Sequence, residues 1–309
     1  MNNKVYSNML IFSGFLWAVN GIVLSIITNL NIYENSGVRI SFFSPIIFAG
    51  LNDLFAGVLL LLFNVISGKI REVCEVLKTK NGKIIIFAAL IGGPIGQCMY
   101  LMGLSMAPVS YVMPVSALCP VFGMILSSFI LKERINLKTQ ILIFGCVIGT
   151  VILSYTKPVG NYPKFYFGIL FSLLAALSWG IEATLITFCT KGNVDEKIAL
   201  NIREIVSGSF ILFIILPLLR IFDSVFIVFD NKVAILYLFF AGLFAVLSYS
   251  FFYKGMKVLG VSKGMALNST FSMWAVVLSV IFLSVPLTLN LLLGSIIVTG
   301  CVICLTLNN

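Results

Sequence analysis

Ten apolar segments divide this chain of 309 residues, and their length is the strongest constraint on its fold. A helix that crosses a bilayer needs about 20 mostly apolar residues, because the bilayer interior holds no water to satisfy an unpaired backbone group. The segments lie near residues 8–28, 42–66, 83–104, 110–131, 138–155, 165–188, 197–220, 232–253, 263–284 and 288–306. The sequence therefore predicts an all-α integral membrane protein with ten transmembrane helices in a lipid bilayer.

Charged residues are scarce and unevenly distributed. Only 10% of the residues are charged, against about 25% in soluble domains. With the N-terminus placed inside, fourteen Lys and Arg residues lie in or beside the inner connectors and five lie on the outer side. The positive-inside rule then predicts that both termini are cytoplasmic. Because this bias accounts for the net charge of +9, nucleic-acid binding is not expected.

The two halves of the chain show internal similarity. Three pairs of short stretches align: residues 16–21 with 178–183, 103–110 with 255–262, and 145–148 with 300–303. Five helices is an odd number, so a second copy of a five-helix unit must enter the membrane from the opposite side. We therefore predict two inverted five-helix repeats, residues 1–158 and 159–309, with a substrate site between them near the middle of the membrane.

Three charged residues stand inside the apolar segments of helices 2 and 7. They are Asp53, Arg203 and Glu204. An ionised side chain at a helix centre costs about 2.5 to 3.5 kcal/mol, so such residues pair with one another or serve a function. Asp53 paired with Arg203 as a strut between the two helices is one interpretation, and a role in gating is compatible with it.

A fourth intramembrane charge, Glu182, has different neighbours. It lies three residues after Trp179, nearly one helical turn, so the two side chains share a face. No basic residue lies within a turn of Glu182, and we interpret it separately from the other three charges. The three tryptophans, Trp17, Trp179 and Trp274, all fall in the middle of their helices, as does Tyr249.

Aromatic faces beside one carboxylate attract an organic cation, because the face of an aromatic ring is electronegative. The alternative is that these tryptophans only fill space between helices, with Glu182 hydrogen-bonded or protonated.

Several stretches are typical of one transporter family. Gly-Pro in helix 3 (residues 93–96), the run 114–123 and the helix 4 end at residues 129–135 resemble the drug/metabolite transporter superfamily, EamA type. Residues 176–182, 199–203 and 248–249, with Asn268 six residues before Trp274, are similar to the bacterial choline permeases.

This resemblance implies uptake of choline or a related quaternary ammonium compound by alternating access, across the bacterial cytoplasmic (inner) membrane. The implied cage is Trp17, Trp179, Tyr249 and Trp274, with Glu182 as counter-charge and with Asn20 and Asn268 at the hydroxyl end of the ligand. The choline permeases carry a His-Asp pair where this chain has Asn52 and Asp53. Coupling to protons or to the membrane potential is therefore left open.

Export and catalysis are the alternatives to import. An amino-acid or metabolite exporter of the same superfamily would use Arg203 to hold a carboxylate. An enzyme is not expected, because the sequence has no histidine, no metal-ligand cluster and no nucleophile-base pair in view. We expect no cofactor, a small organic cation as substrate, and a monomer or homodimer.

Overall fold

The computed structural model describes residues 3–30, 32–34, 36–134, 136–154 and 161–307, and the regular structure within these ranges is helical. A π-helical segment covers Ile91–Gln97, a second covers Ile211–Ile215, and a short 3-10 turn covers Phe222–Ser224. The α-helices are Asn3–Thr28 (α1), Val38–Ile66 (α2), Ile70–Lys78 (α3), Lys80–Leu90 (α4), Cys98–Met106 (α5), Val109–Ser116 (α6), Cys119–Ile130 (α7), Leu137–Ser154 (α8), Phe165–Lys191 (α9), Glu196–Phe210 (α10), Leu216–Leu218 (α11), Val225–Asp230 (α12), Lys232–Leu259 (α13), Val261–Asn268 (α14), Phe271–Leu283 (α15) and Leu289–Leu307 (α16).

The predicted all-helical membrane fold is confirmed. Within the described ranges, eight helical segments are long and apolar enough to cross a membrane. The other two predicted segments coincide with α8 and α16, whose apolar stretches, Leu137–Gly149 and Leu289–Val298, are shorter. The predicted boundary between the repeats, residues 158 and 159, lies outside the described residues.

Four of the predicted segments are interrupted rather than continuous, and the seventh contains the π-helical segment Ile211–Ile215. The third contains the π-helical segment around Pro94, which has no backbone N–H to donate. The fourth breaks at residues 117–118, between α6 and α7, and the ninth breaks at residues 269–270, between α14 and α15. These two breaks are 152 residues apart, the same offset that aligns residues 103–110 with 255–262.

Helices from the two halves of the chain pack on each other. The extensive contacts include α1 with α13, α2 with α10, and α8 with α16. Glycines allow the close approach of α2 and α10, since a Cβ atom on Gly57 would meet Ile205 and one on Gly208 would meet the backbone of Leu54. Small residues at such crossings are typical of membrane helices, where dispersion contacts rather than water exclusion hold helices together.

Three ion pairs lie at one end of the helix bundle. We call this end the basic face, and it comprises residues 66–80, 131–134, 136–137, 191–197 and 254–263. Lys69 Nζ lies 2.6 Å from Asp195 Oδ2, Lys191 Nζ lies 3.0 Å from Glu133 Oε1, and Lys257 Nζ lies 3.1 Å from Glu196 Oε2. The first two pairs join the two halves of the chain.

Glu133 has a further role at the basic face, because its Oε1 also accepts a hydrogen bond from the backbone N–H of Val261 at 3.2 Å. The first turn of α14 is therefore held by the same carboxylate that pairs with Lys191.

The Lys69–Asp195 pair makes stability depend on pH. Burial acts to raise the pKa of Asp195, but the hydrogen bond and charge of Lys69, with the N–H groups of Lys197 and Ile198, bring that pKa below its usual value. The hydrogen bond to Asp195 likewise raises the pKa of Lys69. A lowered aspartate pKa stabilises the fold above the unfolded value of about 3.9, and this contribution is lost as pH falls through the folded value.

We expect Asp195→Asn to lower the free energy of unfolding at pH 7 by no more than about 1 kcal/mol, because the side chains of Lys69 and Asp195 are 34% and 29% exposed and water screens the pair. Asp195→Ala also removes the N-cap of α10 and should cost about 1 kcal/mol more. Thermal unfolding in detergent between pH 3 and 7 measures both effects. The gap between wild type and Asp195→Asn should close towards pH 3, and a gap unchanged across this range would contradict the ion-pair contribution.

Candidate functional site

A small cavity lies among α1, α7, α9, α13, α14 and α15. Its lining includes most of the predicted site residues together with several others: Trp17, Cys119, Trp179, Glu182, Ala183, Ser248, Tyr249, Phe252, Tyr253, Met265, Asn268 and Phe271. The cavity volume is only about 30 Å³, room for roughly two water molecules at about 10–15 Å³ each. Aromatic side chains fill the space, so a larger ligand enters only if they move apart.

Aromatic rings surround this cavity in edge-to-face and tilted contacts. The Trp17 ring lies 5.6 Å from Trp179, nearly perpendicular to it, and 5.0 Å from Tyr249. Tyr100 lies outside the cavity lining but contacts both indoles, at 5.2 Å from Trp179 and 6.0 Å from Trp17. These spacings match the 4.5–7 Å range of favourable aromatic pairs. The structure therefore brings Trp17, Trp179 and Tyr249 together and adds Tyr100 to them.

Glu182 is bound to Arg203, which corrects the prediction that Glu182 stands apart from the other buried charges. Arg203 Nε donates to Glu182 Oε1 at 2.7 Å. The two residues are 21 positions apart, but α9 and α10 are consecutive helices joined by a short loop, so they meet at the same depth. A comparison limited to residues within one helical turn of Glu182 cannot detect a basic partner on the next helix.

Arg203 also binds the other two carboxylates. Its Nη1 donates to Asp53 Oδ2 at 3.1 Å and to Glu204 Oε2 at 2.9 Å, and its side chain is fully buried. The predicted pairing of Asp53 with Arg203 across helices 2 and 7 is thus present. Three carboxylates face one guanidinium, so the fully ionised cluster would carry two excess negative charges. In a buried site this excess favours binding of a further cation or proton.

The charge cluster reaches the cavity through two tyrosines of α13. The Tyr253 hydroxyl donates to Glu182 Oε1 at 3.1 Å. The Arg203 guanidinium carbon lies 5.2 Å from the centre of the Tyr249 ring. The Tyr249 ring therefore contacts both the guanidinium of Arg203 and the indole of Trp17.

The π-helical segment Ile91–Gln97 supports Trp179 and Glu182. Trp179 Nε1 donates to the carbonyl oxygen of Gly92 at 3.2 Å. A Cβ atom on Gly92 would overlap the Glu182 carboxylate, so only glycine fits this close approach. Single-turn π-helices recur at functional sites, and here the segment contacts both residues whose spacing first indicated a cation site.

The two predicted asparagines differ in their positions. Asn268 lines the cavity, and its Nδ2 donates to Ser13 Oγ at 2.8 Å. Asn20 is fully buried outside the cavity lining, and its Nδ2 donates to the carbonyl oxygen of Ala241 at 2.7 Å. The structure thus places Asn268, and not Asn20, in the lining of the cavity.

Trp274 does not join the other two tryptophans. Its ring packs edge-on against Phe15 at 5.2 Å, beside a separate apolar hollow that includes Ile11 and Phe12. The helix break at residues 269–270 separates Trp274 from Asn268. Six residues correspond to about 240° around a regular helix, so this spacing does not put the two side chains on one face even without the break.

Sequence reasoning missed several cavity residues. Phe252 and Tyr253 lie three and four positions after Tyr249, and this spacing on one helical face is a signal that would have found them. Cys119 and Phe271 both line the cavity and are 152 residues apart, the repeat offset. Tyr100 carried no signal beyond its position soon after the Gly-Pro stretch of helix 3.

Comparison with known proteins gives matches over nearly the whole chain. A family model described as the EamA-like transporter family matches residues 7–155 and again residues 166–307. Protein LicB of Haemophilus influenzae is 29% identical over 223 residues, 71% of this chain and 73% of that protein. An uncharacterized transporter of Archaeoglobus fulgidus is 21% identical over 232 residues, 75% of this chain and 78% of that protein.

A solved crystal structure superposes with a TM-score of 0.66 at 16% sequence identity, over 99% of this chain and 96% of the other. At this identity the superposition concerns the fold.

Proposed function

Because the chain belongs to the EamA-like transporter family, we propose that it imports choline or a related quaternary ammonium compound as a secondary active transporter. The transport is by alternating access. The protein functions in the bacterial cytoplasmic membrane with both termini in the cytoplasm.

The observation that carries this proposal is the cavity itself, where the rings of Trp17, Trp179 and Tyr249 adjoin Glu182. A quaternary ammonium has no N–H to donate, so it is recognised by aromatic faces and a counter-charge. A desolvated ring contributes about 2 kcal/mol or more to binding such a cation. Glu182 belongs to the cluster around Arg203, which carries two excess negative charges when it is fully ionised.

The proposal includes ten transmembrane helices in two inverted five-helix repeats. Two facts support it: the family model matches each half separately, and residues at repeat offsets line one cavity. Trp17 with Trp179 form one such pair, and Cys119 with Phe271 form the other. A binding site at the interface of two inverted repeats is the common arrangement in secondary transporters.

The membrane potential is sufficient to drive import of a cation. Moving one positive charge inward is favoured by about 2.3 kcal/mol per 100 mV when the inside is negative. Proton coupling is a second candidate, because Glu182 belongs to the three-carboxylate cluster around Arg203, where a proton or an organic cation would offset the same excess charge. Counterflow of choline with Glu182→Gln beside wild type separates the two: a lost proton signal with retained exchange indicates coupling through Glu182.

The exporter alternative has a specific difficulty. A carboxylate substrate would need Arg203, whose Nε and Nη1 already bind three carboxylates, which leaves only Nη2 without a partner among the described residues. An incoming carboxylate would increase the negative excess rather than neutralise it.

The test is a stability screen of the purified protein against choline, betaine, carnitine and common amino acids. A ligand at one hundred times its dissociation constant stabilises the folded state by about 2.7 kcal/mol. We expect choline to raise the melting temperature and amino acids to leave it unchanged. If amino acids stabilise the protein and choline does not, the result contradicts import of a quaternary amine and supports the exporter function.

A further inference from the structure

Three of the buried polar atoms without hydrogen-bond partners belong to Gln97 and Tyr100, beside the aromatic cavity. Both side-chain polar atoms of Gln97 and the hydroxyl of Tyr100 have no partner among the described residues. Gln97 is 1% exposed and Tyr100 is fully buried. Neither residue is needed for the charge cluster, and neither lines the cavity in its present, contracted form.

Such atoms are costly to keep in a protein interior. A buried amide or hydroxyl left unpaired costs about 1–3 kcal/mol, and native structures contain few of them. Three unpaired atoms on two residues, one helical turn apart, therefore indicate a hydrogen-bonding partner that this conformation does not hold. Apolar residues of similar size would fill the same volume without this penalty.

Gln97 and Tyr100 lie next to the residues that would surround a cation. The Tyr100 ring contacts both Trp17 and Trp179. Its hydroxyl lies against Gly21, since a Cβ atom on Gly21 would contact it at 2.7 Å. Gly21 is four residues after Trp17, on the same face of α1. The unpaired hydroxyl of Tyr100 is thus about one turn of α1 away from the indole of Trp17. Gln97 lies about one helical turn before Tyr100 in the chain.

We infer that Gln97 and Tyr100 form a subsite for the neutral, hydrogen-bonding tail of the substrate, such as the hydroxyl of a hydroxyalkyl trimethylammonium ion. This inference rests on the proposed function. A hydroxyl both donates and accepts, and the glutamine amide and the tyrosine hydroxyl offer both roles in return. When the indoles of Trp17 and Trp179 separate to admit the trimethylammonium group, Tyr100 becomes a wall of the opened site and its hydroxyl meets the tail.

The test compares two ligands that differ only in this tail. Dissociation constants of choline and tetramethylammonium, which has no hydroxyl, are measured by calorimetry for wild type, Tyr100→Phe and Gln97→Met. Each variant should weaken choline binding by roughly 2- to 12-fold, the range of one hydrogen bond, and leave tetramethylammonium binding unchanged. Tyr111→Phe is the matched control, because Tyr111 is equally buried but packs against Phe165, and it should change neither constant.

The possible results separate this inference from the proposed function. Equal weakening of both ligands, or no change for either, in Tyr100→Phe and Gln97→Met overturns the subsite while import of a quaternary ammonium stands. If wild type binds neither ligand, the proposed function fails and the subsite with it. If Tyr100→Phe does not fold, the same comparison of choline and tetramethylammonium affinities is made with Gln97→Met alone.

Discussion

Arg203→Met is expected to lower the free energy of unfolding by about 3–5 kcal/mol, the cost of removing one partner from a buried ion cluster. Arg203 is fully buried and is bound to Asp53, Glu182 and Glu204. Without it, three carboxylates are left together with no counter-charge, so they must take up protons or the helices must separate. Denaturation of the purified protein in detergent measures the loss.

Two further variants test the physical reason for that loss. Arg203→Lys keeps the charge but lacks the planar fork that reaches several carboxylates at once, so an intermediate loss is expected. Adding Glu204→Gln to Arg203→Met removes one of the uncompensated charges and should recover part of the stability. An Arg203→Met protein within about 1 kcal/mol of wild type would show that the cluster does not hold the helices together.

Trp179→Ala is expected to weaken binding of choline by roughly 30-fold, which corresponds to about 2 kcal/mol for one aromatic face. The substitution removes the indole between Trp17 and Tyr100 together with its hydrogen bond to Gly92. Trp179→Phe keeps an aromatic face and loses only the N–H, so a smaller loss is expected. Isothermal titration of the folded proteins with choline gives both values.

Trp274→Ala is the matched control for Trp179→Ala, because Trp274 packs against Phe15 at another place in the fold. It should change choline affinity by less than about 2-fold. Equal losses in the two variants would mean that the cavity at Trp17 and Trp179 is not where the cation binds.

The membrane fold was predictable because a bilayer imposes a minimum length on apolar helices, and that length is visible in the sequence. Interruptions inside the segments were not predictable in the same way. A π-helical turn at Pro94 and the break at residues 269–270 leave the hydrophobicity of the segment unchanged. Such interruptions change which side chains share a face, and apolar segment length contains no information about them.

The pairing of Trp17 with Trp179 could be predicted from the sequence, because internal similarity aligned them. The bond between Glu182 and Arg203 could not, because it joins adjacent helices and depends on where the loop between them sets their relative depth. Periodicity along one helix contains no information about that depth. Gln97 and Tyr100 were missed for a different reason: an unpaired polar atom is recognisable only when its surroundings are known.

Helix α14 links the basic face to the cavity. Its first residue, Val261, is bound to Glu133, and its last, Asn268, lines the cavity. Eight residues of helix form a rod of about 12 Å that bends little over so short a length. A ligand that displaces Asn268 therefore also displaces Val261 and loosens the contact of Glu133 with it. By thermodynamic reciprocity, we expect the salt concentration in the aqueous phase at the basic face, which screens Glu133 and Lys191, to influence the ligand affinity of the cavity.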